Sequence, residues 1–181
     1  MSVGLALLAF VSFVQTEGGT RIDRVVAVVE SEVITEAELV LEARIALARR
    51  GAIRAASKAI DERFVETFLD YLVNQLLVAN QATRLGAFSV SDQDVEREFD
   101  RFADSFPSRT AFDSFLRRFG ISDERLRGIM LRDLRNGRFV NRRMNVRLMG
   151  QRAPGSPEYQ EALELWLSEL RQAATIRVLG P

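Results

Sequence analysis

The sequence predicts a mainly α fold: a multi-helix core of about six helices with a small two-stranded β pairing of N- and C-terminal strands. Three observations predict it. Long segments carry apolar residues at helical spacing, and most open on Ser, Thr or Asp and close on Gly. Only two short runs are rich in β-branched residues, and they lie at opposite ends. The 181 residues suffice for one domain with a real core and are too few for two comfortable ones.

Val25 to Val29 (VVAVV) reads as a buried strand, ended by Glu30-Ser31-Glu32. A lone strand is unstable, so it needs a partner. The remaining candidate is Thr175 to Leu179 (TIRVL), and pairing the two brings the termini together. Thr35 to Glu38 has the pattern of a capping box and opens a helix that runs to about Arg50, before Gly51. The second and longest helix spans about Asp61 to Leu85. Its wide apolar face (Phe64, Phe68, Leu72 and Leu76 beside Val65, Leu69, Val73 and Leu77) suits a central helix packed on several sides.

Ser91-Asp92 opens a third helix, which Pro107 ends. Thr110 is expected to cap a fourth, closed by Gly120. Ser122 opens a fifth, which Gly128 and Gly137 weaken by about 1 kcal/mol each relative to Ala. Residues 150–157 (GQRAPGSP) read as a linker, and Ser156-Pro157 starts the last helix, anchored by Trp166.

Composition excludes several chemistries. The chain has no Cys and no His, so thiol catalysis, disulfides, thiolate metal sites and any Ser-His-Asp arrangement are ruled out. The acidic run Asp92, Asp94, Glu96 and Glu98 lacks the Gly and the ordered spacing of a calcium loop, and is explained as acids near a helix N-terminus. Formal net charge is zero, yet Arg117 to Arg152 holds eleven Arg against Asp123, Glu124 and Asp133. That stretch reads as a solvated face offset by acidic helices such as the one bearing Glu96, Glu98 and Asp100. Binding of nucleic acid is the competing reading, with no accompanying motif.

Val3 to Val14 is an uninterrupted apolar run without charge. It is shorter than the roughly 20 residues that cross a bilayer and matches the apolar part of a secretory signal. Export is therefore expected, with 1–19 as a signal peptide or N-terminal hydrophobic segment. The customary basic residue near the start is absent; a buried N-terminal helix is the alternative.

Four segments, in order, carry a family pattern: Arg21 to Leu39 (RIDRVVAVVESEVITEAEL); Tyr71 to Val90 with Ser91-Asp92 and Val95; Phe119-Gly120-Ile121-Ser122-Asp123-Glu124 leading into a basic helix; and Leu165 to Leu179, a Trp-bearing helix running into Ile-Arg-Val. This order resembles the SurA-like periplasmic chaperones from about Arg21 to Leu179. The resemblance implies an N-terminal helical domain over 20–149, with 158–181 as a C-terminal helix and strand completing the same core. In the family, parvulin prolyl isomerase domains separate the two; here 150–157 stands in that place, so isomerase activity is not carried over.

What the resemblance implies is non-enzymatic, ATP-independent holding of unfolded exported or outer-membrane polypeptides in the periplasm. It implies no cofactor, no nucleic acid, and no stable membrane insertion after signal removal. The residue-level expectation is an apolar, aromatic-rich groove built from Phe99, Phe102, Phe106, Phe112, Phe115, Phe119 and Met130, with ordinary helix-bundle core as the competing reading of the same rings. A divergent prolyl isomerase and a scaffold subunit with one fixed partner are the functional alternatives. A homodimer that exchanges the terminal helix and strand is a further expectation.

Overall fold

In the computed structural model, which describes residues 23–86, 88–150 and 153–179, the run Val25–Val29 is strand β1. The expected N-terminal hydrophobic segment lies outside the described residues, as do Gln151 and Arg152 of the expected linker. β1 is the middle strand of an antiparallel sheet of order β2-β1-β3. Strand β3, Ile176–Val178, pairs Val178 with Ala27 and Ile176 with Val29, so the expected pairing of the two distant strands is made.

The expected two-stranded pairing is in fact three-stranded. Glu32–Thr35 is strand β2, where the sequence reading had only a lead-in to a helix. Val29 pairs with Glu32 across the two-residue turn Glu30-Ser31, with Glu30 left-handed at φ 55°. The reversal buries Ile34 and leaves Val33 half exposed. Glu30 also ties down β3. Its N–H donates to Thr175 O at 2.8 Å, and its carboxylate accepts from the Thr175 N–H at 3.2 Å.

The described residues contain seven helices: α1 Glu36–Arg49, α2 Ile53–Ala56, α3 Glu62–Arg84, α4 Asp92–Asp104, α5 Arg109–Arg118, α6 Asp123–Arg147 and α7 Pro157–Ala173. Side-chain oxygens of Thr35, Asp61, Ser91, Ser122 and Ser156 cap α1, α3, α4, α6 and α7. The box at Thr35 is only half made. Thr35 accepts from the Glu38 N–H, while the Glu38 carboxylate turns to Arg125. The complete box is Ser91 with Asp94. α5 starts two residues earlier than expected, because extended Ser108, not Thr110, accepts from the Ala111 N–H at 3.1 Å. The single turn α2 was not foreseen; it buries Ala56 against the core.

Apolar residues gather in three clusters. One joins α4 and α5 to the first half of α6 and the end of α1. A second packs β1, β2 and α1 on the first half of α3. A third holds α7 against the second halves of α3 and α6 through Tyr159 and Trp166. The long helices α3 and α6 therefore run through two clusters each and connect them. Trp166 sits edge-on to Phe139, centroids 5.8 Å apart, as the anchor of α7.

The turn from α5 into α6 depends on backbone geometry. Gly120 adopts φ 63°, which lets Ile121 N–H donate to Leu116 O at 2.9 Å and Gly120 N–H to Arg117 O at 3.3 Å, a Schellman ending. A Cβ at Gly120 would meet nothing within 4 Å, so the cost of adding one is conformational. Gly120→Ala is expected to destabilise by about 1–2 kcal/mol, read as a fall of about 2–6 °C in thermal midpoint by circular dichroism.

Candidate functional site

A cleft of about 650 Å³ opens between α1, α3, α6 and α7. That size lies within the range of ligand pockets, about 300–1,000 Å³. Its apolar walls come from Phe68, Tyr71, Val140, Leu163 and Leu167. Tyr71 is 42 % exposed and leans on buried Phe68, with ring centroids 5.2 Å apart. Burial of the phenol raises the Tyr71 pKa, with Asp133 adding to the effect.

Five of the six charged residues lining the cleft form a relay among themselves; the sixth, Arg50, is exposed and stands outside it. Arg132 of α6 grips Glu42 of α1 with two hydrogen bonds of 2.7 Å and also donates to Asp133 at 3.0 and 3.2 Å. Asp133 accepts from Arg49 of α1 at 2.7 Å, and Arg49 donates to Glu98 of α4 at 2.6 Å. Burial lowers the Arg132 pKa, but the bonds and charges of Glu42 and Asp133 outweigh it and leave it raised. The charged groups of the relay are thus paired with one another through charge-assisted hydrogen bonds.

Between the walls lie four side-chain amides: Asn74 and Gln75 on α3, Asn136 and Asn141 on α6. Asn136 is 2 % exposed, and its Nδ2 donates to Gln75 O at 2.9 Å and Gln75 Oε1 at 3.0 Å. Its Oδ1 is buried and has no partner among the described residues. None of these amides was singled out from the sequence. The signal available there was a polar residue inside an apolar stripe: Asp133 and Asn136 continue the register of Ile129 and Val140.

The expected groove residues lie elsewhere and mostly inside. Phe99, Phe102, Phe106, Phe112, Phe115 and Met130 are between 0 and 6 % exposed. Phe112 is the hub, meeting Phe99, Phe102 and Phe106 at 5.5, 5.7 and 5.3 Å with steep interplanar angles. Edge-to-face rings satisfy one another, and each buried ring contributes roughly 2–3 kcal/mol to the core. Phe99, Phe102, Phe112 and Met130 are therefore packing residues, correcting the expectation that they line an open groove. Phe106, Phe115 and half-buried Phe119 do line a second hollow of about 340 Å³, beside Ile53 of α2. Arg44 lies 3.8 Å over the Phe119 ring and donates to Ala56 O and to Lys58 O.

Five of the eight arginines of α6 form ion pairs with neighbouring helices, Arg132 among them. Arg125 reaches Glu38, Arg127 reaches Glu96 at 2.7 Å, Arg138 reaches Asp94 at 2.7 Å and Arg147 reaches Glu169 at 3.1 Å. This is the acid-offset face expected from the sequence. Among the described residues, no helix is long and apolar enough to cross a membrane.

The family model described as SurA-like N-terminal domain matches residues 1–140. No curated protein matches the chain.

Two outcomes follow from the charge network. Glu42→Ala strands a partly buried guanidinium and is expected to cost about 3 kcal/mol, whereas Glu42→Leu with Arg132→Met recovers most of that loss, as measured by urea unfolding. The Arg138 guanidinium and the Ser91 hydroxyl hold the Asp94 pKa down at about 2 against an ordinary 3.8. A lowered folded-state pKa gives stability that is complete above the unfolded value and is lost as pH falls through the folded one. Asp94→Asn is therefore expected to flatten the fall in thermal midpoint between pH 4 and pH 2.

Proposed function

This chain belongs to the SurA-like N-terminal domain family, and we propose that it is an ATP-independent chaperone that holds unfolded polypeptides in the cleft between α1, α3, α6 and α7. The place of action proposed is the periplasm, with exported or outer-membrane polypeptides as clients. The observation that carries this reading is the combination found at the cleft. An open apolar space stands beside charged groups that are already paired with each other. Such a surface offers little to a small charged ligand. It suits apolar side chains of many shapes, because apolar contact is non-directional. Burying a client's aromatic or aliphatic side chain there contributes roughly 1.5–3 kcal/mol, enough for reversible holding when several sites act together.

The hollow at Phe106, Phe115 and Phe119 is proposed as a second, smaller patch for the same client. A client long enough to reach both would be retained more tightly than one reaching either alone. The mechanism is shielding: while its apolar segments are covered, the client is withheld from aggregation.

The test is light scattering during dilution of a urea-unfolded outer-membrane protein. Wild-type protein near equimolar ratio is expected to suppress most of the scattering. Tyr71→Glu places a charge on an exposed wall position and is expected to abolish most of that suppression; Phe119→Glu is expected to reduce it partially. Both should retain the helical circular dichroism signal. Scattering unaffected by wild-type protein, or suppressed equally by Tyr71→Glu, overturns the reading.

A further inference from the structure

The four side-chain amides in the cleft are each half engaged, and for Asn74, Gln75 and Asn136 the engaged half is fixed by chemistry. Arg171 Nε only donates, so the Asn74 atom it meets at 2.7 Å is Oδ1, and Nδ2 is left over. Gln75 O is a main-chain carbonyl that only accepts, so Asn136 must present Nδ2 to it, and Oδ1 is left over. That same Nδ2 also meets Gln75 Oε1, which leaves Gln75 Nε2 over. The Tyr159 hydroxyl donates to Asn141 Oδ1 at 3.0 Å, which leaves Asn141 Nδ2.

We infer that these amides bind the main chain of an extended polypeptide, with Asn136 Oδ1 accepting one of its N–H groups and the spare nitrogens of Asn74, Gln75 and Asn141 donating to its C=O groups. The inference rests on the proposed function and adds what the cleft recognises. A side-chain amide carries the same donor and acceptor as a peptide group, so the match is to the backbone and is blind to sequence. The charged relay beside it is already satisfied internally, so it does not compete for the client's peptide groups. Asn136 is the telling residue. A buried acceptor without a donor costs free energy in the empty protein, and a Leu of similar volume would avoid that cost. A chain laid in the cleft brings the missing donor. Main-chain hydrogen bonds then supply affinity, while the apolar walls accept whichever side chains come with them.

The test uses two short fluorescent peptides of alternating Phe, Val and Thr, identical except that one is N-methylated at every second backbone amide. Binding to the full chain is followed by anisotropy. The parent peptide is expected to bind roughly three- to tenfold more tightly than the methylated one, the effect of losing one or two hydrogen bonds. Asn136→Leu is expected to weaken the parent by a similar factor, to erase the difference between the peptides, and to leave the thermal midpoint unchanged or raised. Equal binding of the two peptides by wild-type protein overturns this inference and leaves the proposed function standing. Binding of neither peptide overturns both. An Asn136→Leu protein that melts earlier yet still discriminates between the peptides shows a purely structural role for Asn136, and also overturns the inference. The wild-type comparison decides the matter even where the variant does not fold.

Discussion

The architecture depends on how α1 and α6 are joined. On the cleft side they meet through long charged side chains: Arg132 with Glu42, Arg49 with Asp133, and Arg125 with Glu38. A guanidinium reaching a carboxylate spans several ångströms more than two interdigitated leucines would. The ion pairs therefore act as struts that tie the helices while keeping them apart. Behind the struts, α3 packs against α6 and α1, and the space left between is the cleft. The polar groups that would ordinarily make such a gap costly are the groups that hold it open.

The phenylalanine cluster solves a different problem with the opposite chemistry. α4 and α5 are short, thirteen and ten residues. Three rings converging on Phe112 make them one unit that rests on Leu126 and Met130 of α6. α6 thus has an apolar first half seated in aromatic core, a charged flank tied to α1 and α4, and a second half that receives α7. Five of its eight arginines reach acids on α1, α4 and α7.

Most helix boundaries were legible because caps are local. Ser91, Ser122 and Ser156 act within three residues of themselves, and Gly120 needs only its own turn. Features that depend on distant partners were not legible. Glu-Val-Ile-Thr carries three β-branched residues, but so short a run beside a helix cap is a weak signal, and strand β2 forms because β1 lies beside it. The direction of each Phe ring was open, since one stripe serves a core or a groove equally well. The side-chain amides of the cleft were hidden for a related reason. Asn74 and Gln75 lie on one helix and Asn136 and Asn141 on another, with no spacing that marks them as a set until the helices are packed.

Strand β3 is three residues long, yet it completes the sheet around a strand that begins some 150 positions earlier. β1 cannot exchange its second row of hydrogen bonds until Ile176–Val178 are available. A polypeptide threading out of a ribosome or a translocation channel would hold β1 half paired until those residues emerge. The sheet then closes late, with β3 acting as the clasp that Glu30 fastens.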